Sequence, residues 1–418
     1  MSYFKICSLF LMLLLAFGSK AQSDTLSITI AQADKVFLST NYQLLATSLN
    51  IDVQKAQVLQ ASLYPNPVLT VDMNAIDPEN SKIFHLGNTG QQSVQLEQLI
   101  LLGGKRKAQI DLAKTNVEMA ELAFQDLIRQ LKFELHTGLY LLNQQQILIG
   151  KYTKQMAMVD NILSTYEIQA HKGNIPLKDV VRLKGVYLNL SNERAAIFGD
   201  YFQQLSKVQT LLQTKSMVVP KVSDAEIQSF IQPFDVQLLI DQALENRPDL
   251  LLGKKDAVFA EQYFSLQKKL AKPDITLFSS YDQRGGAFLR QVNVGVAIPL
   301  MFWNRNQGNI KSAETQIKVK QLFVDGLKSQ VIAEVQSTYL QYKQTVSEFL
   351  KNNKLYDEDF EVTLKGMTEN FQKGNVSLIE FVDFFESYNN ALSEISRIKI
   401  QLATSAEQIK LSTGKELF

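Results

Sequence analysis

Three acidic side chains follow two Gly-Asn pairs, and their types and spacing suit chemistry better than any other group in the chain. Asp179 follows the first pair, and Glu380 and Asp383 follow the second. On a helix, Glu380 and Asp383 share one face because they are three residues apart. Carboxylates gathered on one surface favour cations, and Arg182 is a basic neighbour that could bridge to them. The alternative is an ordinary solvated helix face beside a turn.

The residues that usually bind metals or act as nucleophiles are sparse. His85, His136 and His171 are far apart and have no carboxylate or thiol cluster at metal-ligand spacing. The single cysteine, Cys7, lies in an N-terminal apolar segment, so the mature chain would contain no thiol. The sequence has no nucleophile-elbow, zinc-protease or dinucleotide-binding signature. It therefore predicts neither an enzyme nor a resident metal or cofactor.

A short basic patch, Lys105-Arg106-Lys107, could contact phosphate but stands alone. The 43 Lys and Arg residues balance the 42 Asp and Glu residues, which leaves a formal net charge of +1. Nucleic-acid binding relies on many phosphate contacts. The segment Gly103-Gly104-Lys105 also lacks the remaining residues of a phosphate-binding loop. We expect the patch to begin a helix or flank a membrane, and we expect no nucleic-acid partner.

The N-terminus has the pattern of a secretory signal peptide. Lys5 is followed by an apolar run from Ile6 to Phe17 and then by Ser19-Lys20-Ala21. Small residues at these positions favour cleavage after Ala21, so residues 1–21 are assigned to a signal peptide. No later apolar run is long enough for a membrane-spanning helix, and any membrane crossing would have to use strands.

The rest of the chain repeats itself with a period of about 200 residues. The segment YPNP at residues 64–67 corresponds to KPD at residues 272–274, and HKGNIPL at 171–177 corresponds to QKGNVSL at 372–378. The elements have the same order in both halves. This order predicts two repeats, residues 22–218 and 236–418, joined by a linker at 219–235.

Two tracts without proline predict long helices, one from Gly104 to Gly173 and one from Asn304 towards the C-terminus. Apolar residues in each tract are spaced alternately three and four apart, as in a coiled-coil seam. The seam of the first tract consists of Ile110, Ala113, Val117, Ala120, Phe124, Leu127 and Leu131. A first helix of about 65 residues would be roughly 100 Å long.

Each tract leads to a Gly-Asn pair, and glycine there suits a left-handed helix stop. A returning helix is predicted to begin near Leu177 in the first repeat and near Leu378 in the second. Shorter helices are predicted at about residues 34–63 and 236–271, the second with a break near Pro248.

Short stretches of alternating residues between these helices predict strands. The alternation is clearest at residues 68–75 and 292–298, and loops at 77–90 and 283–287 would join the strands as hairpins. Four strands in one chain cannot close a barrel. The sheet is therefore either an ordinary soluble one or part of a barrel that several chains share in a ring.

Several motifs, in the same order along nearly the whole mature chain, resemble those of the TolC-type outer-membrane efflux proteins. They are Leu63-Tyr64-Pro65-Asn66-Pro67, Leu101-Leu102-Gly103-Gly104-Lys105-Arg106, Asn246-Arg247-Pro248-Asp249-Leu250, Ile298-Pro299-Leu300, Asn304-Arg305-Asn306-Gln307-Gly308 and the two Gly-Asn turns. The strand-to-helix junctions are most similar to the heavy-metal-efflux branch of that family.

The resemblance implies a mainly α fold with a small β part, in which each protomer of a homotrimer adds four strands to a twelve-stranded barrel in the outer membrane. The long helices would form a tunnel through the periplasm. Such a protein is the passive exit channel of a tripartite efflux system for small solutes or metal ions. Its partners would be outer-membrane lipid, a periplasmic adaptor protein and an inner-membrane pump. The alternative, from another class, is a periplasmic or surface coiled-coil scaffold.

The resemblance also implies roles for particular residues. The acids Asp179, Glu380 and Asp383, with Arg182, would lie at the constriction of the tunnel. The adaptor would dock at the tip turns, which contain Gly173, Asn174, Gly374 and Asn375.

Phe302 and Trp303 follow the last predicted strand, and Trp303 is the only tryptophan. Amphipathic aromatic residues favour the membrane–water interface, which is the role we expect for this pair. The alternative is a packing role at the joint between strand and helix.

Overall fold

The structure is a computed structural model that describes residues 25–285, 287–355 and 359–418. The predicted signal peptide, residues 1–21, lies outside the described residues. Across the described ranges, no helix combines the length and the apolar character needed to cross a membrane.

Helices make up most of the described chain, as the proline-free tracts predict. They are α1 Ile30–Thr40, α2 Tyr42–Ser62, α3 Lys105–His171, α4 Leu177–Leu212, α5 Asp224–Ser229, α6 Val236–Asn246, α7 Pro248–Leu270, α8 Gln307–Leu355, α9 Asp359–Gln372 and α10 Leu378–Thr413. At 67 residues, α3 confirms the expected first long helix. The residues of its predicted seam are all buried or half-buried. The second tract contains α8 and α9 before its turn.

The strands are short and few, which confirms a mainly α fold with a small β part. They are β1 Thr25–Ile28, β2 Val68–Met73, β3 Ile76–Asp77, β4 Lys82–Ile83, β5 Gln91–Ile100, β6 Met217–Pro220, β7 Ile275–Arg284 and β8 Phe288–Ala297. A four-stranded antiparallel sheet has the order β2-β5-β7-β8, and both predicted hairpin loops are present in it.

Two features of the fold differ from the predictions. The helix expected at residues 34–63 is interrupted at Asn41, whereas the break predicted near Pro248 is present. The Asn41 side chain caps α2 by accepting from the Leu44 N–H (3.0 Å) and donates to the Leu211 carbonyl (3.0 Å). The parallel pair formed by β1 and β6 was not predicted, and β6 and α5 cover part of the segment expected to be a linker. The repeat boundaries stay a prediction.

The chain divides into two compact units, which we call the helical unit and the sheet unit. The helical unit comprises the described residues within Met1–Leu45, Leu127–Arg247 and Val331–Phe418. Its core joins α3, α4, α9 and α10 through side chains such as Tyr152, Leu183, Phe371, Phe381 and Phe385. Burial of these large apolar side chains is the main force that holds the helices together.

The sheet unit comprises Ala46–Asp126 and Pro248–Gln330. Exposed valines lie along one face of β8, while Gly295 faces the ring of Phe278 on β7. A Cβ atom at position 295 would lie 2.3 Å from that ring, so the Phe278 side chain would have to shift if any other residue stood here. Ala108 and Leu112 of α3 pack against Leu266 of α7 beside the sheet.

Candidate functional site

The two tip turns of the helical unit have the same backbone geometry. Gly173 and Gly374 both have a φ of +77°, which is the left-handed conformation that glycine adopts without strain. In each turn the glycine N–H donates to the carbonyl three residues earlier (3.0 Å). The asparagine N–H donates to the carbonyl five residues earlier (2.9 Å). These bonds satisfy carbonyls at the end of each helix and confirm the predicted helix stops.

The asparagine side chains add a similar hydrogen bond to each turn. Asn174 Nδ2 donates to Gln169 Oε1 at 2.7 Å, and Asn375 Nδ2 donates to Asn370 Oδ1 at 3.2 Å. Both turns are exposed, and a Cβ atom at either glycine would meet no atom within 4 Å. The tip therefore presents two rigid, matched and accessible turns per chain.

The helices that follow the turns begin differently, and this changes the environment of Glu380. Ser377 caps α10 in a capping box: the Ser377 N–H donates to Glu380 Oε2 at 2.9 Å, and the Glu380 N–H donates to Ser377 Oγ at 3.3 Å. These hydrogen bonds hold the pKa of the Glu380 carboxyl below its usual range, and the bond from the Ser377 backbone has the largest effect. Pro176 is at the equivalent position before α4 and provides no side-chain cap.

The other three candidate constriction residues are placed near the tip without an ion pair. Asp383 and Arg182 are exposed, and Asp179 is half-buried. Burial, and then the nearby Asp179 carboxylate, raise the pKa of the Tyr166 hydroxyl. Within the described ranges of one chain, Arg182 forms no ion pair with an acid, so a bridge of the kind expected from the sequence would need a second chain.

The basic patch, Lys105-Arg106-Lys107, lies at the start of α3, at the joint where strands of the sheet unit connect to helices. Lys105 is buried, and its ammonium lies 2.8 Å from Asp274 Oδ2 and donates to the Lys272 carbonyl at 2.6 Å. Asp274 Oδ1 accepts from the Leu102 N–H at 2.9 Å. The motifs at residues 101–106 and 272–274, which are far apart in sequence, therefore bind each other through one ion pair, whose lysine is buried.

Arg106 forms a second connection at the same joint. Its guanidinium carbon lies 4.0 Å above the ring of Tyr64, and the guanidinium donates to the Ser62 carbonyl at the end of α2. Cation–π contact and hydrogen bonding thus fix the position of the YPNP segment.

Phe302 and Trp303 lie between the end of β8 and the start of α8. Trp303 is 88% exposed and Phe302 is 62% exposed, and their rings meet edge to face with centroids 6.0 Å apart. Such exposure of two large apolar rings does not fit a packing role within one chain. It fits a pair that meets lipid head groups or another chain.

The helical unit contains a buried ionic cluster that the sequence analysis did not predict. His136 of α3 lies between Asp34 of α1, whose Oδ1 is 2.7 Å from Nε2, and Glu407 of α10, whose Oε2 is 3.0 Å from Nδ1. Burial disfavours the charged imidazole, but hydrogen bonds to the two carboxylates outweigh it and raise the pKa of His136 to about 9. These partners are 102 and 271 residues away in sequence, so no local motif indicates them.

Two lysines extend this cluster, which we call the His136 network. Lys132 lies 3.3 Å from Asp34 and 2.8 Å from Glu416, and Lys410 lies 2.9 Å from Glu407. The network connects α1, α3, α10 and the segment after α10. Among the described residues, no group of three or more His, Cys, Asp or Glu side chains is arranged to hold a metal ion.

Comparison with known proteins was made for both sequence and fold. Residues 239–415 match the family of outer membrane efflux proteins. The cobalt-zinc-cadmium resistance protein CzcC of Cupriavidus metallidurans is 22% identical over 292 residues. The aligned region is 69% of this chain and 66% of that protein, slightly less than two thirds of the relative.

Solved channel structures have the same fold over nearly the whole chain. The CmeC outer membrane channel of Campylobacter jejuni matches with a TM-score of 0.73 at 12% identity, covering 92% of this chain and 85% of that one. CusC matches with a TM-score of 0.73 at 16% identity, covering 92% and 91%. These matches agree with the resemblance found in the motifs and with an outer-membrane location. The second half of the chain thus matches the outer membrane efflux protein family, and nearly the whole chain has the fold of the solved channels.

Proposed function

We propose that this chain forms a homotrimeric exit channel, which passively conducts small solutes or metal ions from an inner-membrane pump and a periplasmic adaptor to the outside. The observation that carries this proposal is the four-stranded sheet, which has apolar side chains on its surface. Its two edge strands, β2 and β8, each leave one edge that pairs with no other described strand. Lipid does not tolerate unpaired strand edges, so the edges need partners.

The direction of the strands supports pairing between copies of the chain. Three antiparallel steps separate β2 from β8, so these two edges run in opposite directions. The β8 edge of one chain can therefore pair antiparallel with the β2 edge of the next, and the alternation continues around a ring. Three chains would supply twelve strands, a number that suits a closed barrel in the outer membrane.

Exposed apolar side chains on the helices of the sheet unit support the same assembly. Leu49, Val53 and Leu59 on α2 and Leu322 and Phe323 on α8 are exposed. Apolar surface of this extent is typical of faces that another chain covers. Phe302 and Trp303 would then lie at the membrane–water interface.

The tip turns are our proposed docking site for the adaptor protein. Gly173, Asn174, Gly374 and Asn375 form two matched turns that are exposed and held by their own hydrogen bonds. A surface that is ordered before binding loses little entropy when a partner docks. For the cargo we propose metal ions, because CzcC is named for resistance to cobalt, zinc and cadmium. A passive duct requires no catalytic residue, and we propose that this chain is not an enzyme.

Purification in detergent tests the assembly and the activity together. We expect a heat-modifiable trimer by mass measurement, and ion conductance after insertion into planar lipid bilayers. A monodisperse protein that stays soluble without detergent and gives no conductance would instead indicate a coiled-coil scaffold.

The acids near the tip are expected to give the channel a preference for cations. Replacing Asp179 and Asp383 by asparagine should reduce that preference, because these carboxylates would form rings in the trimer. Glu380→Gln should reduce the preference as well, since the hydrogen bonds from Ser377 keep the Glu380 carboxylate charged. The measurement is the reversal potential in a salt gradient across a planar bilayer. If the asparagine variant and the unchanged protein had equal ion selectivity, these acids would not lie at the constriction.

A further inference from the structure

A groove of about 250 Å³ lies between α4 and α10 in the helical unit. Its polar lining consists of Asn189 and Glu193 from α4 and of Glu386, Asn389 and Asn390 from α10. Val186, Leu190 and Phe385, which also line it, belong to the core of the unit. The groove therefore offers oxygen-bearing side chains beside a well-packed apolar core.

Helix spacing places a carboxylate and a carboxamide together on each side. Asn189 and Glu193 are four residues apart on α4, and Glu386 and Asn390 are four residues apart on α10. Residues at this spacing lie one above the other on a single helix face. Each helix thus directs the same pair of ligand types towards the groove.

The groove has negative charge that nothing in its lining neutralises. No Lys, Arg or His is among its lining residues, and within the described residues neither Glu193 nor Glu386 takes part in an ion pair. Burial, and in addition the neighbouring Glu193 carboxylate, raise the pKa of the Tyr152 hydroxyl to about 12. Two like charges in one groove repel each other, and a bound cation would remove that repulsion.

Asn389 provides a separate indication that a ligand belongs here. Its side chain lines the groove and the residue is only 6% exposed, yet Oδ1 has no hydrogen-bond partner among the described residues. Leaving a buried polar atom without a hydrogen bond destabilises the fold. A carboxamide oxygen is a usual ligand for hard cations, so a bound cation would satisfy it.

We propose that the groove between α4 and α10 binds a divalent cation of the Mg²⁺, Ca²⁺ or Mn²⁺ class. The ligands are carboxylate and carboxamide oxygens, with no thiolate or imidazole, and such oxygen sets suit these hard ions. Its carboxylates, Glu193 and Glu386, are not among the acids predicted to lie at the constriction. It does not depend on the chain being a channel, because all its ligands lie within the helical unit of one chain.

The test uses Mn²⁺ as the probe, with the full-length protein purified in detergent and free Mn²⁺ measured by electron paramagnetic resonance. We expect saturable binding with a Kd of about 10⁻⁴–10⁻³ M, the range of extracellular oxygen-ligand sites. The double variant Glu193→Gln, Glu386→Gln should weaken it at least about tenfold, which is the loss that even an outer-shell change can cause. Both side chains are exposed, so this variant should fold.

Two further variants separate a ligand role from a structural one. Glu394→Gln removes an exposed carboxylate of α10 that does not line the groove, and Mn²⁺ affinity should be unchanged. Asn389→Asp keeps the size of the side chain but adds a charge, and it should tighten Mn²⁺ binding. The proposal is overturned if the unchanged protein shows no saturable binding, if the double variant binds as well as the Glu394→Gln control, or if Asn389→Asp binds no more tightly.

Discussion

Replacing Asp274 by alanine is expected to lower the free energy of unfolding by about 3–5 kcal/mol, as is usual when one partner of a buried ion pair is removed. The Lys105 ammonium would remain buried without its carboxylate, and the Leu102 N–H would lose its acceptor. The effect is large because this one carboxylate binds both the buried Lys105 ammonium and the Leu102 N–H, where strands meet helices in the sheet unit. Denaturant unfolding in detergent, followed by circular dichroism, measures it.

Two further variants test whether the loss of stability arises because the Lys105 charge is buried. Combining Asp274→Ala with Lys105→Met removes both charges, and we expect it to recover much of the loss, since apolar replacement of a whole buried pair is often neutral. The exposed pair of Lys255 and Glu118 is the matched control, and Glu118→Ala should cost less than about 1 kcal/mol. If Glu118→Ala proved as costly as Asp274→Ala, the joint would not depend on its buried pair.

The His136 network is expected to make stability depend on pH in the alkaline range. The folded-state pKa of His136 is raised from 6.5 to about 9. Charged His136 therefore stabilises the fold fully below about pH 6.5, and this contribution is lost as the pH rises through about 9. A shift of this size corresponds to roughly 3 kcal/mol. Asp34 and Glu407 have lowered pKa values despite their burial, mainly through hydrogen bonds to His136, so both stay charged throughout this range.

Unfolding midpoints measured between pH 6 and 10 test this dependence. His136→Gln should be less stable at pH 6 and should lack most of the alkaline loss that the unchanged protein shows. His171→Gln is the matched control, because His171 is an exposed histidine at the end of the same helix. We expect the control to follow the pH profile of the unchanged protein. The same alkaline loss in His136→Gln would mean that another group is responsible.

The features that sequence predicts well here are those set by local chemistry. The proline-free tract and the heptad spacing predict α3. Gly173 and Gly374 predict the turns that end α3 and α9. Alternation gives the strands of the main sheet. Each of these signals lies within a few residues of the structure that it determines, so a single sequence is sufficient to find it.

Features that depend on distant partners were missed. The break at Asn41 relies on the Leu211 carbonyl, and the charge of His136 relies on residues from two other helices. Lys105 was recognised as a basic residue, but its burial against Asp274 depends on a contact between segments that are far apart in sequence. For Glu380 the signal was present, because Ser-x-x-Glu at the start of a helix is the pattern of a capping box.

Because of that capping box, the helix starts that follow the two otherwise matched turns should differ in stability at low pH. The Glu380 carboxylate supports the start of α10 at pH values above 4.5, its ordinary pKa, and this support is lost as the pH falls through its lowered folded-state pKa. The start of α4, at Pro176, has no carboxylate cap to lose. The two turns thus share their geometry, but of the helices that follow them only α10 has a start whose stability depends on the protonation of a capping carboxylate.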